Sequence, residues 1–321
     1  MKHKTLGTEE FLGAVVLAIA LSIIYYFSEA HTANTSNLGV CLPSPNLWPI
    51  PELWSWGLNL ALILGTGIAL HFFNKAFSVI QTADMVLPSM FLILTVSNPW
   101  ADGMLGSSSL MVAINLLCMS TIFTCYKSNN ATQEIFVVAT MLSLGSMFQY
   151  GFIFLMPGYI LIAIMMKCFH IRELVSFIMG ICAPYWIAIG MGIVPLDSFH
   201  FPEFTSLFNS FSSKGDILVG GISIGLTALV AILMALNNAV KLYAGNTQRR
   251  LYNNAIAIIG LVCAAGIAVD FNNLTTYLAS FYLAAAVQIA NTFALWNIRK
   301  ATLWLGIITA IYVILFLIMV L

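Results

Sequence analysis

The sequence predicts an all-α, polytopic transmembrane helix bundle of about eleven spans, and three observations carry that prediction. The first is composition: 60% of the 321 residues are hydrophobic and 7% are charged, whereas a soluble domain carries roughly a quarter charged residues. Twelve basic and twelve acidic side chains cannot cover the surface of a globule of this length. The second is the arrangement of the apolar residues in charge-free runs, most of them near the roughly 20 residues a helix needs to cross a bilayer. The third is the placement of the basic residues between those runs, which alternates in register with the spans. Formal net charge is zero, so the chain lacks the electrostatic footprint of a nucleic-acid-binding protein.

The first run, 11–28, follows Lys2 and Lys4 but is preceded directly by Glu9 and Glu10. Tyr25-Tyr26-Phe27-Ser28-Glu29-Ala30 lacks a clear small-x-small cleavage site, so this run reads as a retained helix and not as a signal peptide. Runs at 53–73, a short one at 85–97, and 109–126 come next. The uncharged stretch 135–166 is too long for one span and is interrupted by Gly145, Ser146 and the polar turn Gln149-Tyr150-Gly151. We divide it into two short helices, about 131–147 and 151–168, with one bent helix as the alternative. The remaining runs are 174–194, 217–236, 255–269, 275–297 and 301–321.

Alternating sides along these runs places eleven of the twelve basic residues together, Lys214 being the exception, and seven of the twelve acids opposite them (Glu29, Glu52, Asp102, Asp197, Glu203, Asp216 and Asp270). The positive-inside rule then sets the N terminus inside and the C terminus outside. Trp48, Trp54, Trp56 and Trp100 fall at the outer boundary, and Trp296 and Trp304 at the inner one, as interfacial belts do. The longest outer segments, about 28–52 and 195–215, are too short to fold alone, so residues 1–321 form a single integral membrane domain. Of six cysteines only Cys41 lies in an outer loop, which excludes a disulfide framework. Asn34-Thr35-Ser36 and Asn273-Leu274-Thr275 match glycosylation sequons, a pattern that chance often produces.

Ionisable groups within spans are the usual mark of transport chemistry. Asp84 and His71, both near helix ends, are the nearest examples, which counts against ion coupling and leaves a carrier built on broken helices open. Gly65, Gly67, Gly145, Gly180, Pro157 and Pro184 could supply such breaks or serve helix packing. Polar chemistry gathers instead in the outer segments. Glu29 and His31 follow the first span, and Asp197, His200 and Glu203 recur at three-residue spacing, though Pro195 and Pro202 oppose a regular helix there. Such acids could hold Mg²⁺, Mn²⁺ or Ca²⁺, or act as a general base, or simply be a solvated loop. The P-loop, G-x-G-x-x-G, C-x-x-C and H-E-x-x-H patterns are absent from the sequence.

The middle of the chain has a recognisable order: Pro88, then Asn98-Pro99-Trp100, a helix reaching Lys127, and a glycine-bearing pair at 142–145 and 152–157. The link Phe169-His170-Ile171-Arg172-Glu173 and a helix with Gly180 and Pro184 complete it. Over roughly residues 75–190 this resembles an uncharacterised family of bacterial multi-pass inner-membrane proteins. It is distantly similar to the C-type glycosyltransferases, which take sugars from polyprenyl-phosphate donors. The resemblance implies a bacterial cytoplasmic (inner) membrane location. It makes Glu29 the base that deprotonates an acceptor hydroxyl, or a ligand to the metal at the donor phosphate.

Lys214, His31 and Asp102 would then contact substrate, and Asp197, His200 and Glu203 would hold a divalent cation such as Mg²⁺ or Mn²⁺. The sequence departs from the C-type pattern in its short first outer segment and in having no outer arginine. The expected function is a lipid-linked sugar transferase, or a degenerate relative, in envelope glycan assembly. The alternatives are a non-catalytic subunit scaffolding an envelope complex through membrane-protein partners, and a transporter or lipid flippase. Membrane lipids are partners in each case, and nucleic acid in none.

Overall fold

The computed structural model describes residues 8–28, 39–80, 85–128, 130–199, 215–242, 247–296 and 298–320. Among the described residues the chain forms twelve α-helices and three short 3₁₀ turns. The helices are α1 (Thr8–Phe27), α2 (Glu52–Phe77), α3 (Val86–Val96), α4 (Pro99–Asp102), α5 (Ser107–Thr124) and α6 (Thr132–Phe148). They continue with α7 (Phe152–Met165), α8 (Ile171–Gly190), α9 (Gly215–Leu242), α10 (Thr247–Val269), α11 (Leu274–Ala294) and α12 (Ile298–Val320). Eight of them are long and apolar enough to cross a membrane, and the protein is an integral membrane protein. Helices are what such runs must form, because a bilayer offers no water to satisfy backbone N–H and C=O groups.

Three apolar helices, α3, α6 and α7, are shorter. At 1.5 Å per residue the 11 residues of α3 extend about 16 Å, roughly half the hydrocarbon thickness. Every residue of α3 is buried, and α1, α2 and α11 pack around it. Protein therefore surrounds the short segment on all sides, the condition under which a membrane tolerates one. The core helix is α11: all residues from Leu274 to Phe293 are buried beneath α3, α5, α9 and α10.

The break in the long uncharged stretch falls at Gln149–Gly151, between α6 and α7. The contacts of α6 with α8 show what this break accomplishes. Thr132 O accepts from Ser176 Oγ at 2.6 Å, Ser143 Oγ donates to Ile181 O at 2.7 Å, and the Ser146 and Tyr185 hydroxyls share a hydrogen bond at 2.7 Å. Between these, a Cβ on Gly180 would sit 2.7 Å from Phe136 O and 2.8 Å from Ala139 Cβ, so α8 lies against the α6 backbone. Residue numbers rise together along both helices, so α6 and α8 run parallel. The intervening α7 must return along the bundle to join the end of one to the start of the other.

Contacts between helix ends fall into two sets. At one end, Leu42 N donates to Met147 O (2.9 Å), Tyr150 meets Asp270, and Ser107 meets Thr276. At the other, Arg249 Nε donates to Ser78 O (3.1 Å), Tyr252 OH donates to Phe123 O (3.0 Å), and Lys127 N donates to Met166 O (3.1 Å). We call these the clasp end and the basic end. Trp100, expected at a lipid interface, is instead buried with its ring against Gly220 of α9, where a Cβ would collide with it. The Asn273-Leu274-Thr275 sequon is closed inside the bundle, with Asn273 0% exposed.

Candidate functional site

Most of the side chains singled out from the sequence belong to the two long loops. Glu29, His31, His200, Glu203 and Lys214 lie outside the described residues, as does the side chain of Asp102, the last residue of α4. Asp197 sits exposed in the 3₁₀ turn Leu196–Ser198. Among the described residues no three His, Cys, Asp or Glu side chains gather into a metal-binding group.

The described parts of both loops meet at the clasp end. Residues 40–42 run along the C-terminal end of α6, with Val40 N donating to Ser146 O (3.2 Å) and Leu42 N to Met147 O (2.9 Å). Trp48 packs edge-on to Phe148, with ring centroids 5.8 Å apart. Cys41 and Met147 then form one apolar patch with Ala188 of α8 and with Val194, which directly precedes the second long loop. Phe199, two residues past Asp197, lies 6.1 Å from the Tyr185 ring. Burial pushes the Cys41 thiol above its ordinary value, the condition of an inert structural cysteine and not of a nucleophile.

Beside this patch lies a buried polar cluster that joins the α6–α7 turn to the α10–α11 turn. Tyr150 OH donates to Asp270 Oδ2 at 2.6 Å, and Tyr277 OH donates to the same oxygen at 3.4 Å. Asn273 Nδ2 donates to Asp270 Oδ1 at 3.0 Å and also contacts Tyr150 OH. Gln149 Nε2 reaches Thr276 Oγ1 (3.2 Å), which shares a hydrogen bond with Ser107 Oγ (2.8 Å). Asp270, Asn273 and Tyr277 are all 0% exposed. Burial raises the Asp270 carboxyl above its ordinary range, and the hydrogen bonds from Tyr150, Asn273 and Tyr277 oppose that rise. A carboxylate ringed by donors and closed to solvent holds two turns together; it has no room for a substrate.

The sequence places Asp270 among the seven acids on the side opposite the basic residues. The overlooked signal is loop length: only four residues separate Val269 from Leu274. So short a link leaves its polar side chains between helices and out of water, where they need partners.

A second polar cluster crosses the interior nearer the basic end. Asn238 Nδ2 donates to Gln288 O (2.8 Å) and Thr292 Oγ1 donates to Asn238 Oδ1 (3.0 Å). Asn253 Oδ1 accepts from Gln288 Nε2 (3.1 Å) and Asn291 Nδ2 (2.9 Å). Amides at 238, 253, 288 and 291 thus tie α9, α10 and α11 together with neutral groups. The sequence reading, searching spans for charge, passed over them.

Gln288 and Asn253 also line a groove of about 350 Å³, floored by α11 and walled by α9 and α10. Comparison with family models and with curated proteins gave no match, so the reading of these sites stands on their chemistry.

Proposed function

We propose that this integral membrane protein acts on lipid-linked sugars at the clasp end, as a transferase of the C type or a degenerate relative of one, in assembly of an envelope glycan. One observation carries the reading. The two long loops that hold the polar residues are fastened to a single patch through Cys41, Met147, Ala188 and Val194. Loops fixed side by side on a rigid bundle are where catalytic groups are normally displayed. On this reading the chain crosses the inner membrane of a bacterium about eleven times, with the basic end cytoplasmic.

Glu29 would take the proton of the acceptor hydroxyl, a step available to a carboxylate within hydrogen-bond reach. Lys214, His31 and Asp102 would contact the donor and acceptor. Asp197, His200 and Glu203 would bind Mg²⁺ or Mn²⁺. Of these three, Asp197 presents an exposed carboxylate on its turn, a ligand type suited to hard cations.

The test is replacement of Glu29 by Gln, which preserves size and removes the charge. Envelope glycan output should fall by roughly 10²–10⁴-fold, the usual cost of losing a general base, with the protein still abundant in the membrane. Glu52→Gln, at an exposed site one loop-length away, should change little. Unchanged output from Glu29→Gln rejects the catalytic reading.

A second reading, a non-catalytic subunit of an envelope assembly complex, is favoured by the filled interior around α11. Stable co-purification of a membrane partner after mild extraction, together with a silent Glu29→Gln, would establish it.

A further inference from the structure

We propose that the groove between α9, α10 and α11 holds one hydrocarbon chain of an anionic bilayer phospholipid, with the headgroup at the basic end. The inference requires that the protein sits in a membrane, and it is independent of the transferase reading. The floor of the groove is buried: Phe281, Ala285 and Gln288 are each 6% exposed or less. Its rims, Ile232, Leu236 and Leu261, are more than half exposed, which in a bilayer means that they face lipid. The groove therefore opens sideways to the hydrocarbon.

Dimensions select the occupant. The lining on α9 extends from Ala228 to Ala239, about 16 Å at 1.5 Å per residue. A volume of about 350 Å³ spread over that length leaves a section of roughly 20 Å², against roughly 80 Å² for a helix about 10 Å across. A single extended hydrocarbon chain fits along this space, whereas a helix from a second copy would enter it only with a ridge of side chains. Alanines at 231, 235 and 285 make the channel smooth.

Charge selects the headgroup. Asn254, exposed, closes the groove near the start of α10. Arg250 lies one helical turn before it, with Arg249, whose Nε donates to Ser78 O, beside that. Basic residues at the end of an interhelical groove are the recognition elements of phosphate-bearing lipid headgroups.

The experiment uses the full chain reconstituted in phosphatidylcholine vesicles containing a minor fraction of phosphatidylglycerol that carries a diazirine in one acyl chain. After irradiation, adducts should concentrate on the groove-lining stretches of α9 and α10. Unlabelled phosphatidylglycerol should compete for them better than phosphatidylcholine. Ala235→Phe should lower their yield by about tenfold, the effect of losing contact with about two methylenes, and Arg250→Gln should lower the preference for phosphatidylglycerol by roughly fivefold.

Adducts spread evenly over the exposed faces of α1 and α12 as well would mean annular lipid only and overturn the proposal. So would a groove free of adducts in a protein that forms dimers. If Ala235→Phe does not fold, the adduct map of the unaltered chain decides the matter. Groove labelling leaves the role of Glu29 untouched, so failure here and failure of the transferase reading are separate results.

Discussion

Asp270 shows how a single residue sets the character of one end of the bundle. Its carboxyl is 0% exposed and receives hydrogen bonds from Tyr150, Asn273 and Tyr277. Removing one donor to a charged acceptor costs about 1.5–3 kcal/mol, so Tyr150→Phe should lower the melting temperature of the detergent-solubilised protein measurably. The pH dependence follows from burial. The folded-state pKa lies above the ordinary value of 3.8, so the folded protein holds this proton more tightly than the unfolded chain. Stability from this site is fully present below 3.8 and is lost as pH rises through the folded-state value. Asp270→Asn should flatten that part of the melting-temperature profile, and an unchanged slope would show that the carboxyl does not titrate within the clasp.

At the scale of elements, the parallel pair α6 and α8 is held by close backbone approach at Gly180 and by hydroxyl bonds at Ser143, Ser146 and Ser176. Gly180→Val would push methyl groups into Phe136 O and Ala139, and should destabilise the fold by about 1–3 kcal/mol, the range for overpacking. Gly65, in α2, is the control: apart from its chain neighbours and the adjoining helix backbone, nothing lies within 4 Å of its would-be Cβ. Gly65→Ala should therefore be neutral or stabilising by up to about 1 kcal/mol through helix propensity. Equal melting temperatures for the two variants would remove the packing argument.

These helices were largely legible in the sequence, because charge-free runs and the Gln149-Tyr150-Gly151 turn mark them directly. The one-turn α4 was not, since four residues carry no periodic signal. The candidate site was much less legible. Residue type and loop position single out Glu29 and Asp197 as candidates, but nothing local indicates that the described parts of the two loops share a patch. That fact depends on Cys41 and Val194 joining one apolar patch across more than a hundred residues of chain. The Asn253–Gln288–Asn291 network escaped notice because neutral amides hardly alter a hydropathy profile, although in a bilayer each buried amide needs a partner.

At the scale of the whole molecule, the proposed topology depends on α6, α7 and α8 making three passes and not two. With three, the proposed topology puts both long loops on the side opposite the basic residues, the side of Asp197 and the clasp. With two, the loops are separated by the membrane and no joint site is possible. Cysteine labelling by a membrane-impermeant maleimide in intact cells tests this directly. The parent carries Cys182→Ser, because Cys182 is exposed while the other five cysteines are buried. Single cysteines replace Glu52, Asp197, Lys75, Lys127 or Lys167, all exposed positions. The account predicts rapid labelling at 52 and 197, and labelling at 75, 127 and 167 only after the cells are opened. Labelling at 52 with protection at 197 in intact cells would contradict it, because the two loops would then face opposite sides.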